Sequence, residues 1–180
     1  MEERRKNLWH IIVMVLLPIA WWTPAVFSSA REEPRFAGAA TSPEELADRL
    51  LAALSAGDST ALHALRVSRE QYLELIVPGT IEPGEPLRQV SMGTADLFWR
   101  QLDQKSRDFG DLLFERYGGK RYRRLSLSYT APSKHYGGYQ AVGETRIVAS
   151  DETGAHHTIA SGWIAVLDGG CKWIGFEWDD

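Results

Sequence analysis

Cysteine is almost missing from this chain. Cys171 is the only one in 180 residues, so no intrachain disulfide can form and the fold must rest on a packed core. Asparagine occurs once, as Asn7, which leaves the rest of the chain without a glycosylation sequon. Neither sign of charge dominates. The 20 lysines and arginines face 24 aspartates and glutamates, a formal net charge of -4, whereas a general nucleic-acid binder shows a strong basic excess. At 44% hydrophobic residues the chain is too apolar for a disordered tail. The strings GxSxG, GxGxxG and GxxxxGK[ST] do not occur, so the serine-hydrolase, dinucleotide and P-loop readings lack their mechanical parts. HExxH and paired cysteines are missing too, and no metal or cofactor is expected.

One stretch is long and apolar. Arg4, Arg5 and Lys6 precede the run Leu8 to Trp22, which is apolar apart from His10 and contains Pro18. The run is shorter than the ~20 residues that a membrane-spanning helix needs. Ser28, Ser29 and Ala30 follow, completing the three parts of a secretory signal with a cut after Ala30; Ala37 and Ala39 offer a second cut. Residues 1–30 are therefore expected to be a signal peptide, and the protein to be exported to the periplasm or the exterior. The competing reading is an uncleaved anchor over residues 8–27, with Trp21 and Trp22 near the interface. Only that reading brings the protein to a membrane. No cysteine follows the run for a lipid anchor.

Residues 31–41 contain Pro34 and mixed charge and read as a linker. The remainder, 42–180, has the size of a single domain. Ser42-Pro43-Glu44-Glu45 is a helix start, with serine as cap, proline at the first position and Glu45 completing a capping box. Leu46, Leu50, Leu51 and Leu54 follow on one face until Gly57. Asp58 or Ser59 caps a short second helix, and Ser68 with Gln71 forms another capping box. Gly79 to Gly93 reads as a long loop. The longest helix is expected from Thr94 to Tyr117, with Phe98, Leu102, Phe109, Leu112, Leu113 and Tyr117 on its apolar side. Gly110 is its weak point, costing ~1 kcal/mol relative to alanine if interior.

From Lys120 the period changes to two. Arg121, Arg123, Leu125, Leu127 and Tyr129 are expected to share one face of a first strand. Tyr139 to Ser150, Ala155 to Leu167 and Cys171 to Trp178 form three more, joined at Asp151–Gly154 and Asp168–Gly170 by hairpin turns. Helices followed by hairpin-linked strands predict an α+β domain: N-terminal helices packed on a curved four-stranded antiparallel sheet. Cys171, in an apolar strand, reads as a small buried hydrophobe.

The order of elements, Gly57-Asp58-x-x-Ala61-Leu62-x-Ala64-Leu65 between the first helices, and the closing Asp168-Gly169 turn before Trp173-Ile174 resemble the nuclear transport factor 2-like superfamily. The resemblance covers about residues 42 to 180. It implies a cone with a pocket at the wide end, and a homodimer by analogy. Members include isomerases, dehydratases and cyclases as well as domains without known activity, so shape alone does not assign chemistry. The Asp/His or Asp/Tyr set of the enzymes has no residue-by-residue match here, and no catalytic residue is carried over.

Candidate pocket residues are Trp99 on the long helix and Tyr129, His135, Tyr139 and Trp163 on the strands and their connections. His135 stands in the loop Lys134-His135-Tyr136-Gly137-Gly138-Tyr139, where a pocket mouth would lie. The bland alternatives are core packing for the aromatics and a glycine-rich hairpin for the loop. His63 reads as a packed or solvent-facing histidine, and adjacent His156 and His157 point to opposite faces of a strand. Lys120, Arg121, Arg123 and Arg124 form either an anion-binding patch or a charged edge strand that resists sheet-to-sheet pairing. The expected function is non-catalytic binding of a small apolar or amphipathic ligand, or of a protein partner. The alternative is an isomerase, dehydratase or cyclase using Asp103, His135 or Glu144 as its acid-base group.

Overall fold

Helix-starting residues lie where a helix must satisfy its free amides. The computed structural model describes residues 36–80 and 90–176; residues 1–30, expected as a signal peptide, the middle of the Gly79–Gly93 loop and Trp178 lie outside the described residues. Helix α1 (Pro43–Ala56) begins at Ser42, whose hydroxyl accepts from the Glu45 amide. Glu45 reaches one residue further back than the expected capping box and accepts from the amide and hydroxyl of Thr41. Asp58 caps α2 (Ser59–Ala64). Ser68 and Gln71 form the reciprocal box ahead of α3 (Arg69–Gln71), which runs on through a π-helical turn (Tyr72–Ile76) into α4 (Val77–Gly79).

The long helix α5 (Met92–Tyr117) starts at Ser91, slightly earlier than expected. Its buried stripe is Ala95, Trp99, Ser106, Phe109, Gly110 and Leu113. Phe98 and Leu112 were expected on that side. Each stands one residue, about 100° of helix, before a stripe position, and they are 49% and 43% exposed. Gly110 has a packing reason: a Cβ there would come within 2.9 Å of the His63 ring, so glycine lets α2 lie against α5.

Five strands follow: β1 (Tyr122–Tyr129), β2 (Lys134–His135), β3 (Gln140–Asp151), β4 (His156–Leu167) and β5 (Gly170–Gly175). They form one antiparallel sheet in the order β1-β3-β4-β5, with β2 also paired to β3. The domain is thus α+β, as expected, with helices packed against the sheet. The sheet has five strands rather than four, because the glycine-rich loop before Tyr139 closes a short hairpin through β2. Asp168 and Gly169 both adopt positive φ (48° and 72°), the geometry of a two-residue turn matched to strand twist.

Bulges overturn part of the period-two reading. The register between β1 and β3 shifts between Arg124 and Ser126, leaving Leu125 as the extra residue, 39% exposed. An extra residue exchanges the faces of a strand. Arg121, Arg123, Leu125, Leu127 and Tyr129 therefore do not share a face; Tyr122 and Leu127 turn to the core, while Tyr129 is exposed. A second disturbance is paired. β3 carries an extra residue at Gly143-Glu144 and β4 one at Ser161-Gly162, so the register resumes beyond them. Before that point Val142 and Ile164 face one hydrophobic cluster; after it Ile147 and Ile159 do.

That first cluster joins α1 and the C-terminal half of α5 to the sheet through Leu50, Leu54, Leu113, Ile147 and Trp173. A second cluster gathers Phe36, Val67, Ile76, Trp99, Tyr139 and Ala165. Phe36 and Ala40, at the end of the segment expected as a linker, are buried, and Ala40 bridges Cys171 on the outer edge of β5. The Leu65–Val67 segment bridges Trp173 in parallel on the same edge, so protein backbone covers it. β1 is the opposite edge. There Arg123 is exposed, and Arg124 forks onto both Asp48 carboxylate oxygens at 2.7 and 3.0 Å.

Candidate functional site

Two cavities flank the second cluster, and the bulge at Gly143 and the β2–β3 hairpin build the first of them. The first is a half-open pocket of about 180 Å³. Its largest wall is Trp163. That indole lies against Gly143 on β3, where any Cβ would overlap the ring, and pairs across β5 with Gly175. Gly175 in turn lets Leu102 of α5 approach, since a Cβ there would meet Leu102 Cδ1 at 2.5 Å. Gly143 at the bulge therefore makes room for the large aromatic, and Gly175 at the end of β5 makes room for the helix.

The opposing wall comes from the β2–β3 hairpin. Tyr136 and Tyr139 stack at 5.0 Å between centroids, and the Tyr136 amide donates to the Tyr139 carbonyl. The Gly138 amide donates to the Gly79 carbonyl, tying the hairpin to α4, and the Tyr139 hydroxyl lies 3.4 Å from Thr80 Oγ1. Burial raises the Tyr139 phenol above its ordinary range, so it is neutral at physiological pH. Ala141 and Ile174 complete the apolar lining. Lys134 lies at the rim with Nζ 5.2 Å from the centroid of the Trp163 ring, a cation over an aromatic face.

The second cavity, about 390 Å³, lies between the Leu65–Val67 segment, α5 and β5. Trp99 lines it, tilted against Tyr72 at 5.4 Å. The Arg66 guanidinium stands 5.7 Å over the Trp99 ring and donates from Nη1 to Asp103 Oδ1 at 3.1 Å. Arg107 donates from Nε to the other Asp103 oxygen at 2.9 Å. Burial alone would raise the Asp103 carboxyl, but the Arg107 hydrogen bond and the Arg66 charge outweigh it and hold the group below its usual range. Burial likewise lowers His63, which favours its neutral form.

The five expected pocket residues thus divide. Tyr139 and Trp163 meet in the first cavity, and Trp99 lines the second. Tyr129, 40% exposed, and His135, exposed on β2 and paired with Gln140, line neither. The three acid-base candidates stand on separate elements. Asp103 is held by two arginines, and Glu144 sits at the β3 bulge with φ 43°, accepting from the Thr130 hydroxyl at 2.8 Å. Sequence reasoning passed over Arg66 and Lys172 altogether. Their one signal is a cation inside an apolar run, Leu65-Arg66-Val67 and Cys171-Lys172-Trp173.

The remaining histidine chemistry is structural. His157 Nε2 lies 2.8 Å from Asp151 Oδ2, and its ring meets Tyr117 and Tyr122 edge-on. His156, its neighbour, is exposed, as strand alternation requires. Asp151 also accepts from the Thr153 hydroxyl and from the amides of Thr153 and Ala155, which closes the β3–β4 turn. Cys171 is buried, and burial pushes its thiol up to about 11, consistent with a packing role. Among the described residues no cluster of three histidine, cysteine or carboxylate side chains could hold a metal, and no helix is long and apolar enough to cross a membrane.

Comparison with protein-family models, curated proteins and solved structures finds no match to this chain.

Proposed function

We propose that this protein is an exported binding domain, of the nuclear transport factor 2-like kind, that takes a small amphipathic ligand in the aromatic cavity between Trp163 and the Tyr136–Tyr139 pair. The carrying observation is the support given to Trp163: glycine at 143 leaves the space that its indole fills, and glycine at 175 lets Leu102 approach the same cavity. Glycine in a strand interior weakens it, so Gly143, whose missing Cβ is the space the indole occupies, indicates that the ring's position matters.

Size sets the ligand. A closed apolar cavity of roughly 150 Å³ holds one benzene, and this one is about 180 Å³. It accommodates one ring or a short branched chain, not a drug-sized body, which needs ~300 Å³ or more. Lys134 at the rim supplies a cation for a headgroup, so a monocarboxylate with a single-ring or short alkyl body fits both chemistries. The acid-base alternative has less support, because Asp103 is paired with arginine on both oxygens and Glu144 is engaged by Thr130.

Export rests on the basic start and apolar run of the first 30 residues, and N-terminal sequencing of the secreted protein tests it. Ligand binding is tested by melting the protein with benzoate and with branched short-chain carboxylates. A ligand at a hundred times its Kd adds about 2.7 kcal/mol, or roughly 5–10 °C in a domain of this size. Trp163→Ala should abolish the shift. A panel that leaves the melting temperature unchanged would refute the proposal.

A further inference from the structure

The larger cavity has a different chemistry from the aromatic one and shares no lining residue with it. Four cations border it, Arg66, Arg69, Arg107 and Lys172, against the single carboxylate Asp103. Arg69 is neutralised from outside by Asp96 at 2.6 Å, and Arg107 by Asp103. The two most deeply buried cations are the least well matched. The Arg66 side chain is 3% exposed; Nη1 has Asp103, but Nε and Nη2 have no hydrogen-bond partner among the described residues. Lys172 is 6% exposed, and among the described residues its Nζ reaches only the neutral Gln71 Oε1 at 3.3 Å. Burying an ammonium without counter-charge costs several kcal/mol, and the two unsatisfied Arg66 donors are a rarity that calls for an acceptor. Protein groups supply only part of one.

From this cluster we infer that the cavity between the Leu65–Val67 segment, α5 and β5 is a binding site for a compact oxyanion of about two negative charges, a phosphate monoester or a dicarboxylate. The guanidinium offers a planar fork matched to either headgroup, and the lysine a point charge beside it. The Trp99 face, already under Arg66, walls the remaining space, and about 390 Å³ holds the headgroup with a short organic body. Asp103 is the internal competitor. It occupies one end of the Arg66 fork, so the anion binds against it rather than with it.

Titration calorimetry on the full chain tests this, with inorganic phosphate and with succinate, ionic strength being held constant with sodium chloride. Saturable heat with either probe is the expected result, and which of the two binds identifies the headgroup. Lys172→Met should weaken binding about tenfold or more, as the loss of one charge-assisted hydrogen bond does. Asp103→Asn should strengthen it, an effect that no purely structural role for Asp103 produces. If Lys172→Met does not fold, the exposed pair Arg69→Gln and Arg107→Gln replaces it and should weaken binding several-fold. Heat no greater than that of sodium chloride, or phosphate affinity unchanged in these variants, would overturn the inference.

Discussion

Removing Asp103 should harm this protein far more than removing the arginine it pairs with. Arg66 is 3% exposed and its only described counter-charge is Asp103, whereas Asp103 is 25% exposed and has a second partner in Arg107. Asp103→Ala strands a buried guanidinium, and breaking a buried pair in this way costs about 3–5 kcal/mol. Arg66→Met leaves Asp103 with Arg107 and water and fills a similar volume. It forfeits the stacking on Trp99, worth about 2 kcal/mol for a desolvated cation, but also removes two unpartnered donors that cost about 1–3 kcal/mol each, so the terms offset and the net change should stay within about 1 kcal/mol. Urea unfolding with constant m-value measures both. Asp103→Ala should lower the melting temperature by roughly 10 °C and Arg66→Met by no more than about 4 °C. The double variant should regain most of the loss, because no charge is then stranded. If Arg66→Met proves as damaging as Asp103→Ala, the burial argument fails, and with it the case that Arg66 lacks acceptors.

Other consequences are more local. Gly143→Ala should displace the Trp163 ring, lowering affinity for a benzoate-like probe at least tenfold while the far-UV spectrum is retained; calorimetry reads this directly. Leu50→Ala, fully buried on α1, should cost about 2–5 kcal/mol in urea unfolding. The Asp151 carboxyl is held well below its ordinary range, first by the Thr153 hydroxyl and then by His157. Its contribution is present above the unfolded value of about 4 and is lost as pH falls through the lower folded value, because the unfolded chain binds the proton first. Melting temperature should therefore fall below about pH 4, less steeply in Asp151→Asn. Cys171, buried with a raised thiol, should resist a thiol reagent in native buffer and react fully in denaturant.

Elements whose cause is local could be read from the residues. Ser68 with Gln71, the Asp58 cap, the Asp151–Gly154 hairpin and the Asp168-Gly169 turn carry their signals within four residues, and the structure forms each of them. What escaped was set by contacts distant in sequence. The bulges at Leu125 and at Gly143-Glu144 answer to sheet geometry, and the first reverses the alternation on which the face assignment of β1 depends. Gly110 reads as a defect until His63 is seen against it. Trp99 and Trp163 look equivalent as aromatic letters, but helix α5 carries one to the cationic cavity and β4 the other to the aromatic one. Arg66 and Lys172 drew no reading, because their burial depends on backbone bridges that join Leu65–Val67 to β5 across more than a hundred residues.

The most direct test of the central claim is the indole Nε1–H resonance of Trp163, assigned by its loss in Trp163→Phe and followed while benzoate is added. The account predicts a saturable shift of that resonance, with the Tyr136 and Tyr139 ring signals moving at the same concentration and the buried Trp173 indole unmoved. A Trp163 resonance that stays fixed, or that drifts linearly along with every exposed group, would contradict it.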